Sequence, residues 1–131
     1  MKSRGLFLLS VFWLGCYATS PKNRAKQTDC SIMKSGRFIS PGMGTKSNII
    51  IIKNNSHIEN DYSGKYTTKS NITWLSDCSY KLKILETNYT DRPFKPNDEM
   101  IVSIEKVEGD FIYFKAQYKE FTIKDTLQKI D

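Results

Sequence analysis

Between residues 30 and 131 no apolar period of 3.6 residues persists for three helical turns. Short β-branched and aromatic runs stand there instead, broken by turn residues at intervals of roughly 8 to 12 positions, the spacing of an all-β sandwich or barrel. The clearest stretch is residues 65 to 74. Tyr66, Thr68, Ser70, Ile72 and Trp74 fall on one face of an extended chain, and Lys65, Thr67, Lys69, Asn71 and Thr73 on the other, because successive strand side chains point to opposite sides. A helix would mix the two sets.

The other strands follow from the same reading. Gly36 to Ser40 is the first, closed by Pro41-Gly42-Met43-Gly44. Asn48 to Lys53 carries four consecutive isoleucines and is too apolar for a surface strand, so both its faces are expected to be covered. Asn54-Asn55 suits a tight turn, since Asn tolerates positive φ. The chain then returns over Ser56 to Asn60 and turns through Asp61-Tyr62-Ser63-Gly64. After Leu75-Ser76-Asp77, the residues Tyr80, Leu82 and Ile84 face inward against Lys81 and Lys83. Residues 87 to 98, with Pro93 and Pro96, form the longest loop. Glu99 to Val107 and Phe111 to Gln117 flank a Glu108-Gly109-Asp110 hairpin, and Phe121 to Ile130 finishes the sheet, with one helical turn over Lys124 to Lys129 as the alternative. Eight short strands joined mostly by hairpin-length turns predict a single antiparallel meander, either a lipocalin-like up-and-down barrel or a strongly curved sheet. A barrel of this size is filled by side chains or holds one small ligand.

At the front of the chain Lys2 and Arg4 precede an apolar run from Leu6 to Gly15, ending at Cys16. This is the form of a secretory signal, and the run is too short to span a bilayer. Leu14-Gly15-Cys16 resembles the bacterial lipobox, in which the cysteine after a small residue is diacylated and becomes N-terminal. Trp13 departs from that motif, standing where an aliphatic residue is usual. The competing cut, after Ala18-Thr19-Ser20, would leave Pro21 as the first residue, which signal peptidase disfavours. The expected organisation is a signal peptide at 1–15, a lipidated Cys16 with a polar tether to residue 29, and a β domain at 30–131. Such a chain is held at the bacterial cell envelope, on the outer membrane or its periplasmic face, with the lipid as its contact to the membrane.

That processing changes the charge and the cysteine count. The full chain has 20 basic and 14 acidic residues, a net +6. Loss of Lys2 and Arg4 leaves +4, with Lys22, Arg24, Lys26 and Lys34 at or before the first strand and no basic stripe elsewhere. Lysines interleaved with Tyr66, Tyr80, Tyr113 and Tyr118 imitate a base-stacking platform. Export and the ordinary alternation of a half-buried strand argue against a nucleic-acid partner. With Cys16 lipidated, Cys30 and Cys78 remain as an even pair in an oxidising compartment, for which a disulfide is expected. Two separate buried thiols, a zinc site with His57 and a nucleophilic thiol are the alternatives. Zinc needs three or four closely spaced ligands, and this chain has one histidine and no Cys-x-x-Cys.

The string Ile72-Thr73-Trp74-Leu75-Ser76-Asp77-Cys78-Ser79-Tyr80-Lys81-Leu82 resembles the core of a family of small Bacteroidetes lipoproteins, flavobacterial ones above all. Cys30 with Gly36-Arg37-Phe38, His57-Ile58-Glu59, and Ile104-Glu105-Lys106-Val107-Glu108-Gly109-Asp110 add to it. Val107-Glu108-Gly109-Asp110 departs mildly from the family's Ile-x-Gly-Asp hairpin. The resemblance spans roughly residues 30 to 130 and implies an envelope lipoprotein without assigned catalytic residues. Some relatives carry a DNA topoisomerase IV label, which a chain this small, with no cleavage or ATP-binding module, cannot support.

Neither a carboxylate pair, a Gly-x-Ser-x-Gly elbow, a phosphate-binding glycine loop nor a metal-spaced cluster accompanies His57. Glu59 lies two residues on, but His57 is expected to be a surface hairpin residue. No catalytic residue, metal or cofactor is therefore assigned. Three Asn-x-Ser/Thr sequons, at Asn54, Asn71 and Asn88, arise readily in an Asn- and Ser/Thr-rich chain, and the lipobox points to bacteria. Two functional classes remain. Trp74, Tyr80, Phe111 and Tyr113 either line a pocket for a small apolar ligand or simply fill the core. Alternatively the domain is a structural or interaction module whose loops 41–47 and 87–98 meet an envelope protein. A ligand-sized apolar cavity in the interior favours the first, a filled interior the second.

Overall fold

A computed structural model describes residues 29–131. The segments expected to be signal peptide and tether, with Cys16, lie outside the described residues, apart from Asp29. A 3-10 turn, Cys30–Lys34, opens the domain and a second, Pro41–Lys46, follows the first strand. The strands are β1 (Gly36–Ile39), β2 (Ile49–Lys53), β3 (Ser56–Asn60), β4 (Thr67–Ser76), β5 (Ser79–Thr87), β6 (Glu99–Glu108), β7 (Phe111–Tyr118) and β8 (Phe121–Lys129). Each pairs antiparallel with the next, and β8 returns to β1 to close a barrel. The expected all-β meander is thus the fold. Its last segment is strand throughout, with Leu127 opposite Ile112, and no helical turn forms at 124–129.

Local chemistry sets the turns. Asn54 and Asn55 join β2 to β3 at φ 52° and 62°, the left-handed pair of a type I′ hairpin that matches strand twist. Gly36 enters β1 at φ 133°, beneath the chain end. A Cβ there would lie 2.6 Å from the Asp131 carbonyl oxygen and 2.7 Å from Lys129 Cε. Only glycine lets β1 close against the tail of β8.

The meander divides the loops between two ends. At one end sit the β2–β3, β4–β5 and β6–β7 hairpins together with the Cys30–Lys34 turn. Cys30 and Met33 are buried there beside Ile72 and Ile104. Cys78, in the β4–β5 turn, is bonded to Cys30 with Cα atoms 5.2 Å apart across 48 residues. This is the disulfide expected from the cysteine arithmetic, and in the chain-entropy picture such a cross-link stabilises by about 4 kcal/mol. It plugs that end, while Phe38, Ile52 and Ile112 are fully buried in the interior.

The opposite end, formed by residues 41–46, 61–66, 88–98 and 119–120, is less completely filled. The four isoleucines of β2 differ from expectation. Ile52 is buried and Ile50 packs on the core, but Ile49 and Ile51 stand half-buried on the outer face. Lys53, Lys69, Lys83 and Lys115 are exposed, so the barrel's outside is wetted, the reverse of a lipid-facing barrel. β1 is only four residues long and meets β8 at Phe38↔Lys129 and Ile39↔Gln128. The earlier part of β8 pairs with β7 alone. Phe121 and Ile123 therefore stand in solvent at 65% and 44% exposure.

Candidate functional site

The polar site grows from the register of β2, β3 and β4. The Asn54-Asn55 turn places His57 opposite Ile52, and Glu59 opposite Ile50. Across the next pair His57 faces Ser70 and Glu59 faces Thr68. Residues directly opposite on an antiparallel pair share a face, so His57, Glu59, Thr68 and Ser70 form a polar stripe inside a barrel otherwise apolar. The Thr68 hydroxyl is satisfied by Thr87 at 2.8 Å. His57 and Ser70 are buried, and neither His57 Nδ1 nor Ser70 Oγ has a hydrogen-bond partner among the described residues.

His57 and Ser70 are among the residues around a cavity of about 140 Å³. Its walls are mostly apolar, drawn from Ile50, Leu82, Ile84, Met100, Val102 and Phe114, with Tyr80 beside them. Burial holds the His57 imidazole below its ordinary pKa of 6.5, against an opposing pull from Glu59. It is therefore neutral near pH 7. Burial likewise pushes the Tyr80 phenol well above its usual range.

Glu59 and Arg92 roof the cavity. Arg92 Nη1 donates to Glu59 Oε1 at 3.0 Å, and Asn48 Nδ2 donates to the same oxygen at 2.6 Å. The guanidinium lies over the Tyr89 ring at 4.2 Å, and Tyr89 stacks on Tyr66 at 5.1 Å. Phe94 meets Tyr118 edge-on at 4.8 Å, while the Tyr118 hydroxyl donates to Asp98. These contacts fasten the 88–98 loop over the barrel mouth. Above the roof is an open bowl of about 680 Å³ edged by Met43, Tyr62, Tyr66 and Tyr89. Its charges nearly balance: Lys46, Lys65 and Arg92 against Glu59, Asp61, Asp91 and Asp125. The Ser63 hydroxyl donates to Asp61 and holds its carboxyl below the usual range.

The sequence-assigned lining residues divide. Tyr80 does face the cavity. Trp74 points inward but lies toward the disulfide-bonded end, tilted on Tyr80 at 5.0 Å with the Lys34 ammonium over its ring, and it does not line the cavity. Phe111 and Tyr113 are on the outer face, 39% and 37% exposed. Four consecutive large apolar residues, Phe111 to Phe114, carry no internal parity signal. Ile112, buried against Leu127, claims the inside. His57 also corrects expectation, being 6% exposed rather than on the surface. Ser70, Glu59 and Arg92 were not singled out as site residues. The available signal was a polar residue, Ser70, in the inward row of β4.

The loops expected to meet a partner, 41–47 and 87–98, border the bowl through Met43, Lys46, Tyr89, Asp91 and Arg92. Among the described residues no three His, Cys, Asp or Glu side chains gather as metal ligands do. No family profile, curated protein or solved structure matches the chain.

Proposed function

We propose that this chain is a lipid-anchored envelope protein whose domain binds a small, mainly apolar ligand inside its barrel. The observation carrying the reading is the 140 Å³ cavity, walled by aliphatic and aromatic side chains and roofed by an ion pair under an open bowl. A core that only had to be stable would close such a space, because each unfilled volume forfeits packing energy. Anchorage through Cys16 rests on the lipobox resemblance and would hold the mouth near the membrane surface. Native mass spectrometry of the protein taken from its own envelope tests this reading. The expected result is a bound small-molecule mass, absent from an Ala116→Leu variant whose added carbons occupy the cavity. Protein free of such a mass and carrying a stoichiometric polypeptide instead would overturn it.

The second reading, an interaction module, is favoured by one observation: Phe121 and Ile123 are exposed on a stretch of β8 that pairs only with β7. Apolar side chains beside an unpaired strand edge are a template for another strand.

A further inference from the structure

We propose that the free edge of β8 docks a second copy of this chain, paired antiparallel about Thr122. The contact is made by the self-complementary run Glu120-Phe121-Thr122-Ile123-Lys124. This rests on the interaction reading, whose partner it names, and stands apart from ligand binding in the barrel.

The edge comes first. β8 pairs with β7 from Phe121 to Gln128, but β1 meets it only at Gln128 and Lys129. From Phe121 to Leu127 its outer side therefore has no partner strand among the described residues. The two-residue turn at 119–120 makes Tyr118↔Phe121 a hydrogen-bonded pair. Such pairs alternate along the ladder, so Phe121 and Ile123 bond to β7 while the N–H and C=O groups of Thr122 and Lys124 point outward. Every residue from 120 to 124 is exposed. Asp125, next along, shares the rim of the bowl with Met43 and Lys46, which places the 41–46 turn beside the remainder of the edge.

The register comes second. In a two-fold pairing each residue meets the one at equal distance from the axis on the other copy. With Thr122 on the axis, Glu120 stands opposite Lys124, Phe121 opposite Ile123, and Thr122 opposite itself. Opposite charges, apolar pairs and Thr–Thr pairs are all favourable across strands. The order acid, apolar, hydroxyl, apolar, base is its own complement. Centring on Lys124 instead sets like charges opposite, and centring on Ile123 sets Phe121 against Asp125. About Thr122, the outward N–H and C=O groups of the two copies satisfy each other. Phe121 and Ile123, 65% and 44% exposed, cover one another on one face. On the other, the Lys124 ammonium, held only loosely by Glu105 at 3.8 Å and 70% exposed, reaches the copy's Glu120.

Sedimentation equilibrium of the full chain over a concentration series makes the test. So short a contact falls below the size of stable interfaces, and weak association is expected. Lys124→Glu turns both symmetry-related ion pairs into repulsive ones and should weaken association about tenfold, as should Glu120→Lys. Combining the two changes in one chain restores both pairs at unchanged net charge and should bring association back. Thr122→Pro removes an outward N–H while sparing the bonds to β7, and should abolish it. These positions are exposed, so the variants should fold. Unaltered protein that stays monomeric at millimolar concentration would overturn the second copy as occupant and leave ligand binding untouched. Association that Phe121→Lys abolishes but the charge changes leave alone would overturn this register while keeping the edge. A double charge variant as weak as the single ones would overturn it too.

Discussion

Ser70 lies directly across from His57 on neighbouring strands of the barrel, both side chains buried, and neither is the other's hydrogen-bond partner. A buried hydroxyl without a partner costs about 1–3 kcal/mol of desolvation. Ser70→Ala removes that cost and adds only one atom of empty space. It is expected to leave the protein as stable as before or more so by about 1 kcal/mol, read from denaturant unfolding. A loss of stability would mean that Ser70 already makes a bond worth keeping.

The same burial sets a pH dependence. The His57 pKa is lowered on folding because desolvation disfavours the charged ring. The unfolded chain therefore binds the proton first as pH falls. The stability held by neutral His57 is complete above its unfolded value near 6.5 and declines below it. Glu59, and beyond it Arg92, are the charged groups nearest the ring from the packed elements. Asp61 and Asp98, both held below 3.8, act only in stronger acid. Between pH 7 and pH 5 the melting temperature should fall faster for the unaltered protein than for His57→Gln. Parallel curves would show that the ring is protonated without penalty.

How much of this was legible depends on what fixes each feature. The alternation over Tyr66 to Trp74 has only one strand solution, and Asn54-Asn55 only one economical turn, so sheet and meander follow from local chemistry. The faces of Phe111 to Phe114 do not, since each of those residues can be buried. Their parity is decided by pairing with β8 and by a register shift between Ile104 and Lys106 on β6. Arg92 was hidden for another reason: its partner Glu59 is 33 residues away. Loop residues carry no period from which such a meeting can be read. The cavity is a volume left between eight strands, a property of closure that no single segment encodes.

The disulfide closes one end of the barrel, while the cavity reaches from Tyr80 up to the Glu59–Arg92 pair toward the other, which makes the two separable. Replacing Cys30 and Cys78 together by alanine should cost about 2–4 kcal/mol and lower the melting temperature by roughly 10–20 °C. Affinity for benzene, an apolar probe of the cavity's size, measured well below the new transition, should hardly change. Loss of ligand binding in a still-folded double variant would show that the plug at one end holds the cavity open at the other.

The roof pair should be measurable by a double-mutant cycle. Glu59 and Arg92 side chains are 21% and 35% exposed, so solvent screens their attraction only in part. A coupling of about 1 kcal/mol is expected between Glu59→Gln and Arg92→Gln, weakening in high salt. Arg92→Gln also cuts the 88–98 loop's tie to Glu59 on β3 and takes the guanidinium off the Tyr89 ring. The NMR exchange rate of bound benzene should then rise more than its affinity falls, as expected when a roof is loosened and the floor is left intact. Unchanged exchange would place the entry path elsewhere.

The exposed stretch of β8 invites the last prediction. Phe121 and Ile123 share the inward parity of Ala116, but the short β1 ends before it can cover them. Their outer backbone edge faces no strand, and natural sheets usually guard such edges with charge. Lys124 and Asp125 supply some, yet Phe121 remains the most exposed large apolar side chain of the domain at 65%. At high concentration the protein should self-associate weakly through this edge, and Phe121→Lys should abolish that association in sedimentation equilibrium. The change removes almost no buried surface, so unfolding free energy should shift by no more than about 0.5 kcal/mol. Association that survives Phe121→Lys and Ile123→Lys together would move the contact to another face and leave β8 as an edge protected by its own twist.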